Sequence, residues 1–95
     1  GLISQLRRAA ISITSNIAEG FSRHTYKQKI NFYSIALGSL TELQNQIIVA
    51  KDIKYINTAQ YDEIFAQSII VHKMINGLIK TSKIYLENHP ALHNS

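Results

Sequence analysis

The chain carries four histidines, six Asp or Glu and ten Lys or Arg, and their spacing decides which chemistries it can support. His72 sits at a helical core position in register with Ser68 and Ser82. Such a set either begins a hydrogen-bonded polar layer or is an ordinary core histidine satisfied by a hydroxyl or carbonyl. His24 falls in a turn, and His89 and His93 lie near the end, none of them within HExxH or another metal-ligand spacing. The carboxylates are scattered, whereas a general acid or base needs a neighbour that tunes its pKa. Without cysteine the chain has neither disulfides nor thiolate ligands. Neither a Walker loop nor a GxGxxG cradle for phosphates is present. The expectation is a protein that is not an enzyme, with no catalytic residue, metal site, cofactor or small-molecule substrate.

The basic residues are better ordered. In an antiparallel hairpin Arg7 and Arg8 come near Lys51 and Lys54, while Arg23, Lys27 and Lys29 gather at the opposite end, where Lys80 and Lys83 also fall. Tyr26 and Tyr55 stand in or beside the two turns. Cations hold phosphates and aromatic rings stack bases, so such ends suit RNA or another nucleic acid. A net charge of +4 and a pI near 9.5 permit an anionic partner without requiring one. The expected contacts are Arg7, Arg8, Arg23, Lys27, Lys51 and Lys54, each weak, with repeated copies adding through multivalency. The alternative is a protein-interaction or scaffold subunit whose charges form an ordinary solvated surface.

The elements that carry these residues follow from hydrophobic periodicity. Ninety-five residues make one domain, 1–95. Apolar residues recur at helical spacing with no strand alternation, which predicts an all-α, up-down antiparallel bundle. Its helices span about 2–22, 26–54 and 58–87, with 88–95 a loose tail after Asn88-His89-Pro90. The first helix has Leu2, Ile3, Leu6, Ala10, Ile13, Ile17 and Phe21 on its core stripe, and Arg8, Ser12, Ser15 and Glu19 opposite. Within ISITSNIAEGFSRH, Thr14 and Asn16 flank that stripe, where they bond to the backbone or to a neighbouring helix. Glu19 and Arg23 form an i,i+4 pair.

The second stripe is Phe32, Ala36, Leu40, Leu43, Ile47 and Ala50. The third is Tyr61, Phe65, Ser68, His72, Ile75, Ile79, Ser82 and Leu86. Thr25 with Gln28 forms a capping box, Asn57 or Thr58 caps the third helix, and Asp62 and Glu63 fall in its first turn. No apolar run approaches the ~20 residues of a membrane span, and a cytoplasmic location is expected. Each long helix also has apolar residues that its stripe does not use. Ile35, Val49 and Ile53 lie on the far side of the second helix, and Ile70, Met74, Gly77, Ile84 and Tyr85 on the third. Glu42 lies between Ile35 and Val49, where it calls for an arginine partner from the first helix or from a neighbouring subunit. Ile35, Glu42, Val49, Ile70, Met74, Gly77 and Ile84 are therefore expected at an interface with another subunit or with a missing helix.

Three segments, SQLRRAA from Ser4, SNIAEGF from Ser15 and IALGSLTEL from Ile35, resemble one family. It is the four-helix-bundle family encoded by intervening sequences in bacterial 23S ribosomal RNA genes, related to the accessory variability proteins of diversity-generating retroelements. The resemblance extends through Ala50-Lys51-Asp52 and Asn76-Gly77-Leu78, covering most of residues 2–86. It implies a ring-shaped homopentamer, and the retroelement relatives bind nucleic acid and a reverse transcriptase through a basic surface. Two departures stand out. The family usually has one more helix before SQLRRAA, with which this chain does not begin, and it favours proline where this chain has Thr14.

Overall fold

The computed structural model describes residues 1–89. They form three helices, α1 (Leu2–Ser22), α2 (Tyr26–Asp52) and α3 (Thr58–Asn88), with no strand among the described residues. A tail was expected from residue 88, but Asn88 closes α3 and His89 is its C-cap. Residues 90–95 lie outside the described residues, and so does the rest of that expectation.

Local chemistry sets the helix ends. Thr25 Oγ1 accepts from the Gln28 amide at 3.2 Å, satisfying one of the donors that every helix start leaves open. Asn57 caps α3 with a full capping box. Its Oδ1 accepts from the Gln60 amide at 2.8 Å, and Gln60 Oε1 accepts from the Asn57 amide at 2.9 Å. With α3 starting at Thr58, its first turn holds no acidic residue. Asp62 and Glu63 thus fall beyond the turn where they were expected to favour the dipole. The second helix also stops at Asp52 rather than Lys54. Lys54 adopts φ 62°, and the Tyr55 amide turns back to Ala50 O at 2.8 Å, the closure a left-handed residue makes at a helix C-terminus.

α2 is the common partner of the other two helices, which scarcely touch each other. Along one seam Lys29 reaches Gly20 and Ser39 reaches Ser12. Along the other, Tyr26 stacks on Tyr85, Gln44 bonds to Ser68, and Lys51 covers Tyr61. The result is a shallow layer measuring 53 × 21 × 14 Å, with a radius of gyration of 15.7 Å. A compact domain of this length has a radius of only about 12 Å.

The core lies where the seams meet: Ile13 from α1, Tyr33, Ala36 and Leu40 from α2, and Ile75 from α3. Leu40 and Ile75 are its largest fully enclosed side chains, and burying each contributes about 1.5–3 kcal/mol. On α3 the expected stripe is the packed one, with Ser68, Ile75 and Ser82 buried. The two serines are satisfied locally, Ser68 by Phe65 O at 2.6 Å and Ser82 by Leu78 O at 2.7 Å.

α1 is rotated from expectation. Ala9, Ile13 and Gly20 are its buried residues, whereas Ile3, Ala10 and Phe21 are exposed. Close approach to α2 explains the rotation. The Tyr33 ring lies directly on Gly20, so that a Cβ there would overlap Tyr33 Cε1 and stand 2.8 Å from Cδ1. Phe21 instead meets Tyr33 edge-on from the side, at 5.9 Å between centroids. The same rotation moves Ser12 from the outer face into the α1/α2 seam, its Oγ 2.7 Å from Ser39 Oγ. Asn16 Nδ2 donates to Ser12 O at 2.7 Å and to Ser12 Oγ at 3.2 Å. Thr14 Oγ1 donates back to Ala10 O and Ile11 O.

These contacts predict opposite signs for two glycine replacements. Gly20→Ala introduces overpacking of about 1–3 kcal/mol that exceeds its gain of up to ~1 kcal/mol in helix propensity. Gly38 has no heavy atom within 4 Å of an added Cβ, so Gly38→Ala raises stability by up to about 1 kcal/mol. Urea denaturation of both variants reads the two signs directly.

Candidate functional site

The basic residues divide between the two ends of the layer. At the end where α1 gives way to α2 and Tyr85 of α3 comes alongside, the sequence places Arg23, Lys27, Lys29, Lys80 and Lys83 against Glu19 and Glu87. The other end has Arg7, Arg8, Lys51 and Lys54 against Asp52, Asp62 and Glu63. The first end is the more positive one.

Several of these cations already have partners. Arg23 Nη2 pairs with Glu19 Oε1 at 2.6 Å, the one ion pair among the described residues, and its guanidinium lies 4.7 Å from the Phe32 ring centre. Lys29 Nζ donates to Gly20 O and Phe21 O, both at 3.1 Å, where it satisfies the open carbonyls at the end of α1. Lys51 Nζ lies 4.4 Å above the Tyr61 ring. Arg7, Arg8, Lys27 and Lys54 are exposed.

Arg8 lines a cleft of about 220 Å³ with Gln5, Ser12, Ser39 and Glu42. Level with Glu42, it stands nine residues short of Lys51, roughly 13 Å along the axis of α2. Arg7 and Arg8 thus do not join Lys51 and Lys54 in one tight patch. No arginine among the described residues pairs with Glu42. Glu42 is exposed and accepts only from Gln46 Nε2, at 3.3 Å, so it has little desolvation to offset.

His72 is half-buried. The Ser68 hydroxyl beside it on the stripe receives Gln44 Nε2 at 3.0 Å, and among the described residues no carboxylate is paired with His72. No group of three His, Asp or Glu is arranged to hold a metal ion among the described residues.

A second cavity is an open trough of about 1010 Å³ between α1 and α3, floored by Tyr33 and Leu40 of α2. Ile13 and Ile17 form one wall, Val71 and Leu78 the other, and Lys29 is the only charged residue in its lining among the described residues. Periodicity pointed to an apolar face left for a missing helix or a second subunit but not to the bounds of this trough, because the stripe of each helix says which side is apolar but not which neighbour covers it. The trough divides the residues expected at an interface. Met74, 64% exposed, and Gly77 line it. Ile35, Val49, Ile70 and Ile84 are exposed outside it.

Together these features define the protein as a small all-helical one, an open three-helix layer with a long apolar trough and unevenly placed cations. Residues 1–77 match the family described as 23S rRNA-intervening sequence protein, and the chain belongs to that family. No curated protein matches it. No helix among the described residues is long and apolar enough to cross a membrane.

Tyr33 ties the trough to pH. Burial, followed by the nearby Tyr26, raises its phenol pKa above the ordinary value of 10.0. The neutral phenol is the form favoured in the folded chain. Its contribution is therefore complete below about pH 10 and is lost as pH rises through the raised folded value. Denaturation midpoints measured between pH 9 and 12 (about one unit on either side of the usual Tyr pKa) should fall more steeply for the parent than for Tyr33→Phe.

Proposed function

We propose that this chain is a non-enzymatic, homo-oligomeric helical-bundle protein of the cytoplasm that binds RNA or another nucleic acid weakly through its basic ends. The observation that carries this reading is the excess of cations over carboxylates where α1 meets α2, with Lys27 exposed beside Tyr26. The order of contacts along both seams supports an antiparallel up-down arrangement. A fourth helix laid in the trough would complete such a bundle. Ile35, Val49, Ile70 and Ile84 remain outside that position and suit contacts between subunits. The family resemblance favours a homopentamer, and it extends the set of partners to a reverse transcriptase through the related retroelement proteins.

A second reading has its own support. Arg23, Lys29 and Lys51 are engaged within the chain, and the exposed apolar residues are more extensive than the free cations. On this reading the protein is an interaction or scaffold subunit without nucleic-acid binding.

Lys54 separates the two. A non-glycine residue in left-handed geometry costs roughly 1–2 kcal/mol, so Lys54→Gly should stabilise the fold by up to ~1 kcal/mol while removing a cation. Filter retention of a structured RNA is expected at 50 mM salt and lost by ~200 mM. Lys54→Gly and Lys27→Ala should each weaken it and make its salt dependence shallower. Absence of retention at low salt would leave the scaffold reading. Light scattering that reports a monomer at all concentrations would remove the oligomer.

A further inference from the structure

The trough's lining is mostly apolar, its polar residues Thr14, Gln67, Ser68, Thr81 and Ser82 are neutral, and among the described residues only Lys29 brings a charge to it. Lys29 enters it near the junction of α1 and α2, in the company of Phe21, Tyr26 and Tyr33. Its ammonium uses two donors on Gly20 O and Phe21 O, and an ammonium has three. The residue is half-buried, and no carboxylate pairs with it among the described residues. A cation covered by an apolar partner loses its water and is strongly destabilising unless a counter-charge arrives with the cover.

The shape of the trough limits what can bring that charge. Along α3 it runs from Ile64 to Ser82 and along α1 from Ala10 to Phe21, roughly 27 Å and 16 Å at 1.5 Å per residue. It is long, straight and open on one side, with walls that scarcely meet. Those are the proportions of an amphipathic helix laid into a groove, read through anchors at i, i+3, i+4 and i+7. Gly77 on the wall leaves room for close backbone approach, since nothing lies within 4 Å of where its Cβ would stand.

We propose that the trough takes an amphipathic helix bearing a carboxylate at the Lys29 end, and that the Lys29–carboxylate contact fixes the register and direction of that helix. The inference rests on the four-helix reading above and adds to it the chemistry the occupant must carry. Apolar contact along Ile17, Val71, Met74 and Leu78 supplies the affinity, and the single charge supplies the orientation. The competing occupant is the outer face of α2 from a second copy, where Glu42 lies between Ile35 and Val49.

The test uses labelled synthetic helices of about 18 residues, a length matching the longer wall. They share a Leu/Ala face and carry Glu, Gln or Lys at the position facing Lys29. Fluorescence anisotropy should show the Glu peptide binding about tenfold more tightly than the Gln peptide, as a charge-assisted hydrogen bond gives, and the Lys peptide most weakly. Lys29→Arg should keep this order. Lys29→Gln, with folding checked by circular dichroism, should bring the Glu and Gln peptides together. Met74→Glu, at an exposed position, should weaken all three. Equal binding of the Glu, Gln and Lys peptides overturns the charge requirement and leaves the four-helix reading standing. Failure of all three to bind overturns both. Peptide binding that appears only after Glu42→Gln has dissociated an oligomer assigns the trough to a second copy, and overturns the proposal.

Discussion

The close approach of α1 to α2 is the contact on which the rest of the molecule depends. On the α1 side its small buried residues are Ala9 and Gly20, and Gly20 faces Tyr33 of α2. Gly20 lets the Tyr33 ring lie against helix backbone, which seats Tyr33 in the floor of the trough. That position in turn gives Phe21 an edge-on contact and exposes Ala10 to the trough. A side chain at Gly20 would push α1 away from α2 and alter the floor and one wall together.

Polar groups refine what packing establishes. The Ser12–Ser39 contact and the Asn16 amide that joins it lie in the α1/α2 seam, and Gln44 with Ser68 lies in the α2/α3 seam. Each is partly buried, so a slip of one residue would leave donors or acceptors without partners. Apolar surfaces tolerate several alignments, whereas these pairs favour one. The polar stretch in ISITSNIAEGFSRH is thus a set of alignment contacts, and its serine and asparagine do more for register than for chemistry.

How much of this was readable in the sequence varies by helix. The inner stripe of α3 was legible almost residue for residue, because its large apolar and small polar positions repeat at one consistent period, and Asn57 was one of its two expected caps. α1 was read with its inner face turned: Ile13 and Ile17 pack as expected, whereas Ile3, Ala10 and Phe21 are exposed. Periodicity gives weight to Ile3 and Phe21, while the buried face is chosen by the small residues Ala9 and Gly20, whose contribution is the space they leave. Arg23 with Glu19 was visible as an i,i+4 pair. The use of Lys29 was not, since its acceptors are carbonyls on the preceding helix, positioned by the turn. The trough could be suspected from unused apolar residues, but Met74 and Gly77 were separable from Ile70 and Ile84 only once α1 and α3 were in place.

The flatness of the layer bears on how the particle moves in solution. A body of 53 × 21 × 14 Å meets more friction than a sphere of equal mass. It therefore diffuses more slowly and passes through a sieving matrix as though it were heavier. A single copy would migrate like a larger compact protein, and covering the trough with another helix would thicken the particle while changing its friction little. Mass added along the thin axis makes this shape more nearly spherical, so an assembly could grow heavier with less than the expected gain in apparent size.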